Sequence, residues 1–188
     1  MNNDIIERAL ATLNAGGTLL YPTDTIWGIG CDAVNPMAVE RVYEIKERDH
    51  SKSMLVLTSA EMLSHDLPGD VGQLLLESER PTTVVLSAHY VALPLPQNLL
   101  AADGTVGVRV PKMDFCQELL RQFGHPIVST SANFSGRPSP QCYADIEEEL
   151  KRRVDYCLPD DPSFQHPVTG SSRILKVNPD GSVEVIRS

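Results

Sequence analysis

Several absences narrow this sequence before any motif is read. It has no G-x-x-x-x-G-K-[S/T] run and no G-x-G-x-x-G after an apolar stretch, which excludes the common glycine-rich phosphate cradles. No G-x-S-x-G elbow supports serine-hydrolase chemistry, and the histidines at 50, 65, 89, 125 and 166 form no H-E-x-x-H pair. Cys31, Cys116, Cys142 and Cys157 stand far apart without a C-x-x-C, so metal-site spacing is missing. A chain of 188 residues also needs no disulfide staple, and reduced cysteines are expected. No apolar run approaches the ~20 residues that cross a bilayer. Met1-Asn2-Asn3-Asp4 lacks the basic and apolar regions of a signal peptide, so a cytoplasmic location is expected. Positive charge is scarce: 16 Lys and Arg against 25 Asp and Glu leave a net charge of −9, which argues against broad attachment to nucleic acid. Lys46, Arg48, Lys52, Arg109, Arg137, Arg173 and Arg187 would still suffice for a local basic cleft.

What remains is globular in composition, 41% hydrophobic and 22% charged, with no composition break or internal repeat. One domain over 1–188 is expected. Ile5, Ile6, Ala9, Leu10 and Leu13 recur at helical spacing over 4–15, and Gly16-Gly17 is a stop. A strand over 18–21 ends at Pro22. Asn35 and Pro36 read as the cap and first residue of a helix that buries Val39, Val42, Tyr43 and Ile45 and ends at Lys46 and Arg48. Strands are predicted over 54–57, 83–86, 105–110 and 127–129, with a helix carrying Phe115, Leu119, Leu120 and Phe123 before Gly124. A helix over 141–152, a strand over 154–158 and a hairpin of 173–177 with 183–186 complete the series. This mixture predicts an α/β domain with a mixed sheet. Pro159–Thr169, with three prolines and few large apolar residues, reads as a weakly packed surface loop and a candidate lid.

Three polar stretches carry the chemistry. Tyr21-Pro22-Thr23-Asp24-Thr25 leaves an apolar run, Lys46-Glu47-Arg48 closes an amphipathic one, and Ser129-Thr130-Ser131-Ala132-Asn133 leaves another. Cations with clustered hydroxyls are what a site for phosphates and a polar small molecule needs. Each stretch also has a plainer reading. Lys46 and Arg48 suit a helix C-terminus, and hydroxyl-rich segments suit turns.

Taken together, the motifs resemble the YrdC-like threonylcarbamoyl-AMP synthases in their single-domain form. The resemblance rests on Tyr-Pro-Thr-Asp-Thr-x-x-Gly-x-Gly at 21–30, Lys-x-Arg at 46–48 and Val-Gly-Val-Arg-Val-Pro at 106–111. Ser-x-Asn at 131–133, followed by Arg137-Pro138-Ser139, and a serine-bearing strand at 171–175 complete it. Three positions depart from the family pattern: Asp49 stands for a Pro, Ser78-Glu79-Arg80-Pro81 for a Trp-Pro-Gly-Pro segment, and Leu57 where some relatives carry His.

The resemblance implies a YrdC/RibB-like mixed twisted sheet with flanking helices and an open concave cleft. It implies a reaction of L-threonine, bicarbonate and ATP that yields threonylcarbamoyl-adenylate and pyrophosphate, with Mg²⁺ carried on the phosphates. The product would serve downstream tRNA-modifying proteins. Position by position, Lys46, Arg48 and Lys52 would face the phosphates and carbamate, Lys46 and Arg48 as catalytic residues. Thr105, Ser131, Asn133, Ser139 and Arg187 would surround the nucleotide. Thr25, Arg109, Ser129 and Ser172 would surround threonine, with Arg109 on its carboxylate. Two other readings stay open: a module that holds RNA in the cleft, and a paralogous nucleotide-binding enzyme with another amine substrate.

Overall fold

In the computed structural model, which describes residues 3–164, 170–178 and 181–188, nine strands form one mixed sheet. They are β1 (Leu19–Tyr21), β2 (Gly28–Gly30), β3 (Leu55–Leu57), β4 (Thr82–Ser87), β5 (Thr105–Arg109), β6 (Ile127–Ser131), β7 (Tyr156–Cys157), β8 (Arg173–Val177) and β9 (Val183–Arg187). Their order across the sheet is β7-β1-β2-β6-β3-β5-β4-β8-β9. The pairs β1·β7, β3·β5 and β4·β8 are parallel and the rest antiparallel. The helices are α1 (Asn3–Asn14), α2 (Pro36–Lys46), α3 (Val71–Leu76), α4 (Asp114–Phe123) and α5 (Glu148–Arg153).

Side chains alternate across a strand, and that alternation divides the molecule. Leu20, Ile29, Val56, Val84, Val106, Val108 and Val128 share one face and are fully buried under α2, α3 and α5. On the opposite face Leu19, Tyr21, Leu57 and Ile127 meet Ile5, Ala9 and Leu13 of α1 and Phe115, Leu119 and Leu120 of α4. Leu119 and Leu120 are 0% and 1% exposed. Burial of each is worth roughly 1.5–3 kcal/mol. These two helices cover only one end of that face. At the other end the same rows continue as Ser129, Ser131, Arg109, Thr83 and Ser172, and there the sheet lines an open cavity.

The predicted elements are present with shifted ends, apart from the following corrections. Strand β2 escaped the sequence because Gly-Ile-Gly has no strand propensity. Its glycines are required by packing: a Cβ on Gly30 would lie 2.1 Å from the Val128 carbonyl oxygen and 2.8 Å from the Tyr21 ring. The short α3 was also unforeseen. The helix expected over 141–152 is broken, because the Asp145 carboxylate accepts from the N–H groups of Gln141 and Cys142 at 3.0 and 3.2 Å. That closes a single turn at Tyr143–Asp145, Ile146 is extended, and only Glu148–Arg153 is α-helical. The loop after β7 is not weakly packed at its start, since Phe164 is 8% exposed and meets Phe115 edge-on at 5.1 Å. Residues 165–169 of the expected lid lie outside the described residues, as do residues 179–180 in the β8–β9 turn.

The end of α2 ties the two faces together. Asn35 caps the helix, its Oδ1 accepting from Met37 and Ala38 N–H, and Pro36 fills the first turn. At the other end Glu47 takes a left-handed conformation, φ 51°, the one positive φ at a non-glycine among the described residues. That costs on the order of 1–2 kcal/mol. Backbone bonds from Glu47 N to Glu44 O and from Arg48 N to Tyr43 O offset it. The reversal sends Lys46 inward, 1% exposed. Its ammonium donates to the carbonyls of Ser131 and Asn133, the latter at 2.6 Å, while Ser135 N returns a bond to the Lys46 carbonyl.

No described carboxylate pairs with Lys46, and burial, then the charge of Arg48, lower its pKa from 10.5 to about 7. Between pH 10.5 and 7 the unfolded chain takes up a proton that the folded chain declines. Stability therefore falls as pH drops through that window, and the full cost stands below it. Relative to Lys46→Met, the wild type should lose ground steadily as pH is lowered, read as unfolding midpoints in denaturant. A difference constant across the window would show that Lys46 titrates normally.

Candidate active site

The cavity lies on the uncovered half of the sheet, between the exits of β1 and β6 and the start of β8. Strand ends position its polar groups: Thr25 after β1, Ser129 and Ser131 on β6, Arg109 at the end of β5, Thr83 on β4, and Ser172 just before β8. All four residues assigned to threonine by resemblance, Thr25, Arg109, Ser129 and Ser172, line it, as do Arg48, Ser131, Ser139 and Arg187. Lys46, Lys52, Thr105 and Asn133 do not.

Each of those four has a local reason. The Lys46 ammonium is consumed behind the Ser131–Asn133 turn, so it shapes the turn from within. Lys52 is exposed, and it is its carbonyl that serves the site, accepting from Arg48 Nε at 2.9 Å. Thr105 starts β5 beyond the cavity and donates to Asp103 at 2.6 Å. Asn133 turns away to give its amide N–H to the Arg137 carbonyl. Of the cations proposed for a basic cleft, Arg137 instead pairs with Glu147 at 2.7 Å, and Arg173 reaches Ser78 and Thr82 on the covered face.

Arg48, Arg109 and Arg187 are the charged residues of the described lining, which contains no Asp or Glu. A chain of net charge −9 thus presents a cationic, hydroxyl-rich hollow. Arg48 is half-buried and also donates Nη2 to Ser53 O at 3.0 Å. Arg187 on β9 clasps the Ser172 carbonyl through Nε at 3.1 Å and Nη2 at 2.7 Å. Ser172 Oγ meets Thr83 Oγ at 2.8 Å. Burial lowers the pKa of both Arg48 and Arg187, though a guanidinium stays charged at neutral pH.

Arg109 is only 3% exposed. Its Nη1 donates to Thr25 Oγ1 at 3.0 Å and stands 3.1 Å from Asp24 Oδ1. The other oxygen of Asp24 accepts from Lys112 N at 3.1 Å, which holds the carboxylate behind the arginine and out of the lining. Nε of Arg109 and Oδ1 of Asp24 have no hydrogen-bond partner of good geometry, so the pair is close but poorly aligned. Asp24, Thr23, Thr83 and Trp27 carry weight at the site that the motifs alone did not assign. Burial pushes the Cys116 thiol well above its ordinary pKa, and its Sγ donates to the Pro22 carbonyl, so it offers no thiolate. Among the described residues no group of three or more His, Cys, Asp or Glu could hold a metal ion.

The Sua5/YciO/YrdC family model, described as telomere recombination, matches residues 11–188. A threonylcarbamoyl-AMP synthase of Hahella chejuensis is 32% identical over 159 residues, covering 82% of this chain and 85% of that one. The crystal structure of P. abyssi Sua5 complexed with L-threonine superposes with a TM-score of 0.78 at 25% identity over 91% of this chain, which spans 50% of the Sua5 chain. E. coli YciO shares the fold over 100% of this chain and 90% of its own, with a TM-score of 0.77 at 22% identity. The chain belongs to the Sua5/YciO/YrdC family.

Proposed function

We infer that this protein is an L-threonylcarbamoyladenylate synthase. It condenses L-threonine, bicarbonate and ATP, releases pyrophosphate, and supplies an activated threonylcarbamoyl group for modification of tRNA adenosine by a downstream protein. The observation that carries this reading is the cavity with three arginines, paired hydroxyls and no carboxylate in its described lining. Such a hollow takes a polyanion and an amino-acid carboxylate together. Threonine nitrogen attacks the carbon of bicarbonate and water leaves, giving a carbamate. A carbamate oxygen then attacks the α-phosphorus, and the bond to pyrophosphate breaks. This chemistry needs positioning and charge stabilisation, not a protein nucleophile.

Arg48 is the cation for the phosphates and Arg109 the partner of the threonine carboxylate, with Ser131, Ser139 and Arg187 toward the nucleotide. Mg²⁺ enters as part of the nucleotide substrate, bound through phosphate oxygens, a role that suits a lining with hydroxyls and no carboxylates. A paralogue with another amine substrate would be expected to differ in the cavity itself. None of the three departures from the family pattern lines it. Asp49 is exposed and caps Ser51 N at 2.7 Å, Leu57 is buried beneath α1 and α4, and Ser78 bonds Thr82 at 3.0 Å outside the lining. An RNA-holding module would instead show salt-dependent RNA affinity without pyrophosphate release. A cytoplasmic site of action is the reading that suits a tRNA-directed product.

Trp27, the single tryptophan of the chain, lines the cavity, so its fluorescence should change when ATP and threonine are added. Pyrophosphate release with ATP and bicarbonate should be strong with threonine and weak with valine, because a site that bonds a substrate hydroxyl rejects its apolar isostere. Equal release with the two amino acids would sink the assignment.

Arg48→Ala should lower turnover by about 10²–10³-fold, the usual loss for a preorganised charge contact. Its two hydrogen bonds to Lys52 and Ser53 carbonyls are on a half-exposed loop, so the stability cost should stay within about 1–3 kcal/mol. Arg48→Lys should recover turnover only in part, because the planar fork is lost. A large drop in melting temperature with unchanged turnover per folded molecule would make Arg48 structural.

A further inference from the structure

The hydrogen bonds after β1 fix a direction that distances alone do not state. Thr23 Oγ1 donates its one hydrogen to the Ile26 carbonyl at 2.8 Å. The same oxygen accepts from Thr25 N at 3.2 Å and lies 2.8 Å from Thr25 Oγ1. With the Thr23 hydrogen already committed, Thr25 must be the donor in that contact. Thr25 Oγ1 in turn accepts from Arg109 Nη1 at 3.0 Å. Its hydrogen is spent on Thr23 and one lone pair on Arg109. A single lone pair remains for anything in the cavity. Both threonines are 7% exposed, so bulk water does not readily reverse the chain.

Building on the synthase reading, we propose that Thr23 is a positioning residue for specificity: it locks Thr25 as a hydrogen-bond acceptor, so the substrate is read by the hydrogen its β-hydroxyl donates. Arg109 fixes the neighbouring carboxylate, and the β-carbon of an α-amino acid lies within a bond or two of that anchor. A group at the β-carbon that carries only lone pairs meets the Thr25 lone pair and is repelled. The site therefore discriminates by hydrogen-bond direction as well as by shape. Valine lacks any polar group there. An acceptor of similar size, such as fluorine, should fare no better.

The test compares threonine with its β-fluoro isostere of the same spatial configuration, (2R,3R)-2-amino-3-fluorobutyrate, which keeps a small acceptor at the β-carbon without its hydrogen. Two readouts are used on the intact protein: kcat/KM from pyrophosphate release, and binding in the presence of ATP from Trp27 fluorescence. The wild type should strongly prefer threonine in both. Thr23→Val frees the Thr25 hydrogen to turn into the cavity, and the preference should narrow by roughly tenfold or more, the worth of one hydrogen bond to a buried group. Thr23→Ser restores the hydroxyl and should keep the wild-type ratio. A merely structural Thr23 would weaken both ligands alike and leave the ratio unmoved. An unchanged ratio in Thr23→Val, or wild-type protein that takes the fluoro compound as well as threonine, overturns the proposal. Absence of threonine-dependent pyrophosphate release would count against the synthase reading alone, because the binding ratio still tests the direction of the hydrogen bond.

Discussion

A guanidinium that is 3% exposed sits where the apolar half of the sheet face gives way to the cavity, and the site is organised around keeping it there. Arg109 follows Val108 in β5, whose partner rows hold Leu57 and Ile127 of the core on one side and Thr83 on the other. Burying such a charge without partners would be prohibitive. Asp24 and Thr25 supply them from the β1 exit, and Lys112 N holds Asp24 from the far side. The cost is balanced incompletely, since Arg109 Nε lacks a partner.

The Lys-Glu-Arg segment solves a second problem of placement. Two cations in three residues of a helix end would ordinarily both reach solvent. A left-handed Glu47 between them sends one under the β6 exit and the other to the cavity rim. Lys46 thereby fixes the Ser131–Asn133 carbonyls, which leaves the Ser131 side chain on the cavity side. Where it is protonated, toward and below its lowered pKa of about 7, the ammonium also adds positive potential behind a loop that carries no charged side chain from Ser129 to Asn133.

Much of this was legible in the sequence, for reasons that differ by element. Helices α1, α2 and α4 carry apolar periodicity with a cap or a glycine stop, and local physics defines them. Only the family resemblance singles out Thr25, Arg109, Ser129 and Ser172 as a set; the structure brings all four to one cavity, from the β1 exit, the end of β5, the middle of β6 and the start of β8. Strand β2 was not readable, since its glycines are explained only by the Tyr21 ring and Val128 carbonyl they pack against. The break before α5 turns on one carboxylate, Asp145, capping two N–H groups. The direction of Lys46 depends on carbonyls 85 and 87 residues further along the chain. No local pattern holds that information. Thr23 and Asp24 stood in a recognised motif, but their roles lie in which atom donates to which.

The chemistry of the lining also explains why the chain can do without the usual phosphate loops. A glycine-rich cradle binds phosphate through backbone N–H groups at a helix N-terminus. Here the sheet itself faces the cavity, and an exposed sheet face offers side chains, because its N–H groups are spent on neighbouring strands. Recognition must then come from short hydroxyls on alternate residues and from arginines long enough to reach over them. Ser129 and Ser131, two residues apart on β6, are that pattern in its simplest form. Longer side chains on that row would fill the hollow. A Cβ on Gly28, in β2 beside them, would already stand 3.3 Å from Ser129 Oγ. Small residues keep the floor open, arginines supply the charge, and the covered half of the same face supplies the rigidity that holds both in place.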